Sequence, residues 1–508
     1  MQGPAACPEG AGLVVRRQIA SLGRNAAVYG TGTVLTRLIG LFLLPVFTAY
    51  LTPAEFGVMA MLTVIGQLLQ PIFALGLGAG IGPTYFEGND EGRKSATIWT
   101  ATLLIAAGGV AMVALSLPTA GRISDWIFDT PENGPRIVLY LAGMALNSLI
   151  SPLMLRTQFE NRVVPFVTLT IATTLVSLGA SLYLVVFRGL GLDGMILGQL
   201  AGHAVAALLW TWFVGRSMRF EFRRSLAREL FVSGSVLAPS FIFLFVLLHA
   251  NKYLLQRMSG LDSLGVYSIG FSMGFVMQVV VGAIQTAWYP FFMTYMNRQE
   301  EAGALFGRIM TYYVVAAGAL VLLFFAAARP VVAILTQPEF HEAYKVVGLV
   351  AGSQFLSGAF SLLLPGLYFS REVHFVSIFQ GCAALALVVL CFVLIPPLEA
   401  LGAALALFLG SGVMVLMIAL WFRAWPSRYL RVCYEPRRLL LAGTLYVGAA
   451  VLLMVPYTAS LAAYLSVATA AMVVIPGIAL LLLNRGERAA LGQWICSRGR
   501  SLSAGEGG

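Results

Sequence analysis

Apolar runs of about 20 residues recur from near Tyr29 to near residue 484. That is the length of helix needed to cross a hydrocarbon core of about 30 Å. A segment inside lipid finds no water for its backbone N–H and C=O groups, so only helices and closed barrels can span. The runs are continuous rather than alternating with a period of two, which selects helices. Charged residues make up 11% of the chain and hydrophobic residues 59%, whereas a soluble domain carries about 25% charge. The expectation is an all-α integral membrane protein.

Fourteen spans are expected, near 29–50, 57–83, 96–118, 136–155, 163–187, 194–215, 231–251, 265–290, 306–328, 343–369, 375–396, 402–422, 438–457 and 461–484. The polar stretch ahead of the first run carries Arg16, Arg17 and Arg24. It reads as a positive flank rather than as a signal peptide. Fourteen crossings divide the basic residues very unevenly. The side of the termini collects 24, among them Arg93, Lys94, Arg156, Arg216 to Arg228 and Arg423 to Arg438. The opposite side has seven: Arg122, Arg136, Arg188, Lys252, Arg257, Arg329 and Lys345. The net charge of +10 is thereby read as topology, with both termini cytoplasmic, and not as a nucleic-acid surface. No connecting loop is long enough to hold a soluble domain.

The two halves repeat at an offset near 208. Glu55-Phe56-Gly57-Val58 corresponds to Ser263-Leu264-Gly265-Val266, Pro83 to Pro290, Pro131-Glu132 to Pro338-Glu339, and Gly194 and Gly202 to Gly402 and Gly410. An even offset in helix number makes the repeats parallel. The expected organisation is an N-terminal tail, 1–28; a six-helix bundle, 29–215; a basic linker, 216–230; a second six-helix bundle, 231–422; a second basic linker, 423–437; two further helices, 438–484; and a tail, 485–508. Two such bundles can rock about a central site.

Polar side chains inside the spans are the candidates for that site. Arg37 lies about 12 Å into the first span, on a stripe with Thr33, Gly40, Leu44 and Thr48. It either faces the bundle interior or snorkels to the surface. Lys252 and Arg257, at the end of the seventh span, suit either anion ligands or interfacial anchors beside Tyr253. Gln67 and Gln70 in the second span, Gln278 and Gln285 in the eighth and Gln354 in the tenth offer amides to a sugar, or to neighbouring helices.

Catalytic signatures are missing. Gly88 to Ser95 has the outline of a phosphate-binding loop but places Arg93 where the motif needs glycine. The four histidines are scattered, and the cysteines at 7, 382, 391, 433 and 496 show no C-x-x-C spacing. No catalytic residue, no metal site and no cofactor is expected.

Against this background, the stretch Asn25–Glu87 resembles the N-terminal region of bacterial polysaccharide-repeat-unit flippases. It reads Arg37-Leu-Ile-Gly40, then Thr52-Pro53-Ala-Glu55-Phe56-Gly57, then Ala74-Leu75-Gly76-Leu77. Asn251-Lys252-Tyr253-Leu254-Leu255 through Gly265-Val266-Tyr267-Ser268 resembles the same family's seventh and eighth spans. The resemblance implies the multidrug/oligosaccharidyl-lipid/polysaccharide exporter superfamily, hence a MATE-like fold. It also implies a bacterial inner-membrane location and a substrate of oligosaccharide on an undecaprenyl pyrophosphate carrier. That substrate would be moved between leaflets during O-antigen, capsule or exopolysaccharide synthesis. Membrane lipids and a polysaccharide polymerase complex are the implied partners; nucleic acid is not. The family often carries an acidic residue where this chain has Asn251, which leaves carboxylate-based ion coupling without its group. Two other readings are a multidrug or cation antiporter of the same fold, which calls for buried carboxylates, and a membrane-embedded glycan polymerase or ligase, which would form linkages in purified protein.

Overall fold

The computed structural model describes residues 36, 39–74, 76–87, 90–160, 162–235, 238–295, 299–425, 443, 444, 446 and 448. Arg37 and the expected span at 461–484 lie outside the described residues. Among the described residues every element is helical. The helices are α1 (Leu44–Tyr50), α2 (Pro53–Phe73), α3 (Leu77–Phe86), α4 (Glu91–Phe128), α5 (Gly134–Phe159), α6 (Val163–Leu182) and α7 (Gly191–Phe213). Then come α8 (Arg224–Ser235), α9 (Ala238–Gly274), α10 (Met277–Met293), α11 (Gln299–Leu335), α12 (Tyr344–Leu363), α13 (Pro365–Phe369) and α14 (His374–Ala424). Among the described residues eight helical stretches are long and apolar enough to cross a membrane, and a bent pair, Phe243–Gly274 with Met277–Met293, makes up to nine.

Local chemistry explains where these helices begin and turn. Thr52 and Glu55 form a reciprocal capping box around Pro53, which starts α2. Asp90 caps α4 by accepting from the Arg93 N–H. That helix runs 38 residues, about 57 Å, and so extends well past the expected 96–118. Two long helices conceal hairpins: α9 reverses at Gly260 (φ 86°) and α14 at Glu399 (φ 48°). The two reversals meet, with the Ser263 hydroxyl donating to the Glu399 carboxylate at 2.8 Å. The second expected span is interrupted, α2 ending at Phe73 and α3 restarting at Leu77, with Gly76 left-handed (φ 65°) between them. The seventh span, expected from 231, starts at Ala238; residues up to Ser235 belong to the amphipathic linker helix α8.

The internal repeat is visible as symmetric packing. A Cβ on Gly57 would overlap the Leu261 carbonyl oxygen, and one on Gly265 would overlap the Pro53 carbonyl oxygen. These four positions are related by the same offset of 208, so each half offers the other an identical contact, as across a twofold axis. Within the halves, Gly202 of α7 lies against Ser177 of α6, and its counterpart Gly410 lies against Leu387 in the preceding arm of α14.

The charge distribution predicts that the end of the molecule bearing Asp129, Gly260 and Glu399 faces outward. Reporter fusions check that assignment: at Arg224 and Arg431 they should read cytoplasmic, and at Asp129 and Gln337 external. An external reading at Arg224 would break the fourteen-span topology.

Candidate functional site

Toward the outward end the two halves share one hydrophobic core. There Phe56, Met59 and Leu62 of α2 join Leu255, Leu264 and Tyr267 of α9 in one buried cluster. The Phe56 and Phe340 rings meet edge to face at 5.2 Å. Toward the linker end the first half has a core of its own, containing Leu77, Ile81, Ile98 and Trp210, with Leu230 of α8. Among the described residues the first half thus has two clusters, one shared with the second half and one shared with α8.

A crevice of about 340 Å³ opens between them. Gly40, Leu41 and Leu44 of the first span form one wall; Phe271, Ser272, Phe275 and Val276 form the other. An adjoining apolar space of about 260 Å³ shares Leu41 and Val276 and extends along Leu320, Leu323 and Phe324 of α11. The crevice wall coincides with the break between α9 and α10, a bend of 45°. Across the break, the Val276, Gln278 and Val279 N–H groups donate to the third preceding carbonyl instead of the fourth. Such tightening marks a place where a helix can flex.

Lys252 stands behind this wall. It is 7% exposed, and its Nζ lies 4.0 Å from the centre of the Phe271 ring. Among the described residues no carboxylate comes within ion-pair distance of it. Its neighbour Asn251, fully buried, donates from Nδ2 to the Tyr267 hydroxyl at 2.5 Å and accepts the Lys252 backbone N–H at 3.0 Å. Asn251 therefore ties the two arms of α9 together. One turn to either side of Lys252, His249 Nδ1 and Gln256 Oε1 are buried and have no hydrogen-bond partner among the described residues. A buried cation, an imidazole and an amide thus line up along one face of the helix.

The remaining expected residues divide by their partners. Arg257 donates to the Asp129 carboxylate at 3.0 Å and to the Trp126 carbonyl at 2.6 Å. Gln256 beside it donates to the Ile127 carbonyl at 2.7 Å. Both clamp α9 onto the end of α4, across the two halves. Gln285 donates to the Ser361 hydroxyl at 2.8 Å, joining α10 to α12. Gln354 is buried and donates to Ser353 Oγ at 3.3 Å. Gln67 is exposed on α2, while Gln70 and Gln278 are half-buried. Phe271 and Ser272, which carry the crevice wall, were not singled out by the sequence. Their signal was the placement of aromatic residues at 271 and 275 beside Gly270 and Gly274.

The Arg257 clamp has a modest expected worth. The pair is partly solvated, and such pairs contribute about 0–1 kcal/mol. Asp129→Ala should lower the thermal midpoint only slightly, and Asp129→Ala with Arg257→Ala should cost little more than either alone. A double-mutant cycle in detergent-solubilised protein measures that coupling.

A family model described as a polysaccharide biosynthesis protein matches residues 46–345. No curated protein matches the sequence. Several solved structures share the fold. The lipid II flippase MurJ in an inward closed conformation is 12% identical, with a TM-score of 0.67 over 89% of this chain and 98% of that one. An inward-facing multidrug resistance MATE family transporter of the MOP superfamily is 13% identical, with a TM-score of 0.61 over 77% and 97%. A MATE in complex with MaD3S is 14% identical, with a TM-score of 0.55 over 80% and 95%. The fold is that of these transporters, and the chain belongs to the polysaccharide biosynthesis protein family.

Proposed function

We propose that this chain carries oligosaccharides linked to undecaprenyl pyrophosphate from the inner to the outer leaflet of the bacterial inner membrane, by alternating access. The observation that carries the reading is the crevice between the first span and α9–α10, backed by a buried lysine with no carboxylate partner among the described residues. A pyrophosphate needs cationic ligands, and a lysine held against an aromatic face without a counter-ion is poised to accept an anion. Arg37, on the sequence three residues ahead of Gly40 in the crevice wall, would be a second ligand nearer the cytoplasm. The apolar space that continues the crevice suits a lipid tail lying beside the bundle while the head is inside. A likeness to a protein named a lipid II flippase is consistent with a lipid-linked substrate.

No nucleotide-binding motif accompanies the fold, so substrate binding and release must bias the exchange between states. A ligand can do so only by its differential affinity for them. The test is the fate of the lipid-linked glycan in cells lacking the protein. It should accumulate on the cytoplasmic leaflet while surface polysaccharide disappears. Loss of polysaccharide with the lipid-linked unit already on the outer leaflet would instead place the protein after translocation, as a polymerase or ligase.

A further inference from the structure

The linker helix α8 and the residues leading into it carry a surface that is not part of the crevice lining. One face of α8 is buried: Leu226 and Leu230 are 2% and 0% exposed, and Gly234 lies against Gly76 at the break in the second span. A Cβ on Gly80 would come within 2.6 Å of the Leu230 carbonyl oxygen, so α8 and α3 touch backbone to backbone. The opposite face presents Arg224, Arg228 and Phe231 at helical spacing, all exposed. Just before it, Arg219 and Phe220 are exposed, and the Arg216 guanidinium lies 5.2 Å from the Trp212 ring centre.

Among the described residues these cations differ from their neighbours in having no acidic partner. Arg223 is held by Glu221 at 2.7 Å and Arg93 by Glu229 at 2.9 Å. Arg219, Arg224 and Arg228 make no ion pair among the described residues. Charges of one sign, interleaved with exposed aromatic rings on an amphipathic helix, are complementary to a surface that is anionic at its headgroups and apolar just beneath.

We propose that this segment is a docking surface for anionic phospholipid headgroups. Lipids bound to it would hold α8 in the membrane plane and, through the Gly76–Gly234 contact, restrain the break in the second span. The observations fit a membrane surface rather than a free phosphate, because rings that insert and arginines that stay at the headgroups are placed side by side. The inference is independent of what the protein transports.

The experiment uses the full-length purified protein in nanodiscs of phosphatidylcholine with a minority of spin-labelled phosphatidylglycerol. The variants are Arg219→Gln/Arg224→Gln/Arg228→Gln, the matching triple Arg→Lys, and a control at the opposite end, Arg122→Gln/Arg188→Gln. The wild type should enrich phosphatidylglycerol at its surface. The glutamine triple should lose roughly a hundredfold in relative affinity, following the attraction of each of its three basic side chains near an anionic surface. The lysine triple and the control should retain it. Enrichment unchanged in the glutamine triple, or lost equally in the control, would overturn the proposal. So would displacement of the labelled lipid by millimolar inorganic phosphate or pyrophosphate, which would mark a site for free anions. Each variant is compared only after it elutes as a single species, and the lysine triple separates loss of charge from loss of fold.

Discussion

Leucine in place of Gly57 should abolish surface polysaccharide while leaving the protein inserted in the membrane at normal abundance. The reason is geometric. Gly57 and Gly265 let two backbones touch across the pseudo-twofold, each against a carbonyl of the other half. Flexible side chains can move away from an added methyl group, but a backbone carbonyl inside a helix cannot. Overpacking in a tight interior costs about 1–3 kcal/mol where neighbours can adjust, and more where they are backbone. An obstacle here holds the outward ends apart. Since an equilibrium of 1:99 needs only about 5.5 kcal/mol to become 99:1, a cost of several kcal/mol removes the outward-closed state from the cycle. Gly265→Leu should behave the same way, and Gly57→Ala should be milder. Export measured as surface glycan, together with immunoblots of membrane fractions, distinguishes blocked transport from lost protein. Normal export in both leucine variants would mean the outward contact does not open and close during transport.

Lys252→Met should raise thermal stability and lower export, an opposition of signs that a structural lysine would not show. A basic residue at the centre of a membrane helix costs roughly 2.5–3.5 kcal/mol to insert. Lys252 recovers some of that by sitting against the Phe271 ring, an interaction worth about 0.5–2 kcal/mol. A methionine of similar length removes the penalty and keeps the packing, so the thermal midpoint should rise by a few degrees. Export should fall at least tenfold if the ammonium is the anion ligand. Lys252→Arg should retain part of it, since the charge survives in a bulkier, planar group. Arg37→Ala should likewise abolish export, with Arg37→Lys partly active. Unchanged export in Lys252→Met would reduce this lysine to a packing element.

Much of the scaffold was legible in the sequence because it depends on local chemistry. The second span was expected from 57, and the structure starts α2 four residues earlier, at Pro53, behind the capping box of Thr52 and Glu55. The matched glycines at 57 and 265 signalled a repeat, and they prove to be positions where the backbones of the two halves approach each other closely. Other features were not legible, since they depend on partners far away along the chain. Arg257 reads as a candidate ligand in isolation, yet Asp129 and the Trp126 carbonyl engage it across more than a hundred residues. Gln285 and Gln354 look alike in sequence as buried amides, but only the structure shows each satisfied by a serine on α12. The break at Gly76 was hidden inside an expected span, because a left-handed glycine leaves no mark on hydropathy. The linker helix α8 blurred the start of the seventh span for a related reason: its buried face is as apolar as the helix that follows.

The most direct test of the account joins its two halves, the rocking motion and the cargo. Cysteines placed at Glu55 and Ser263, two residues ahead of Gly57 and Gly265, would link the outward ends of the two bundles. The purified protein, reconstituted into liposomes with a fluorescent undecaprenyl-pyrophosphate oligosaccharide, is assayed for transfer of that lipid between leaflets, before crosslinking, after it and after reduction. Transfer should stop in the crosslinked protein and return on reduction, with each single-cysteine variant unaffected. Undiminished transfer in a fully crosslinked population would contradict the account.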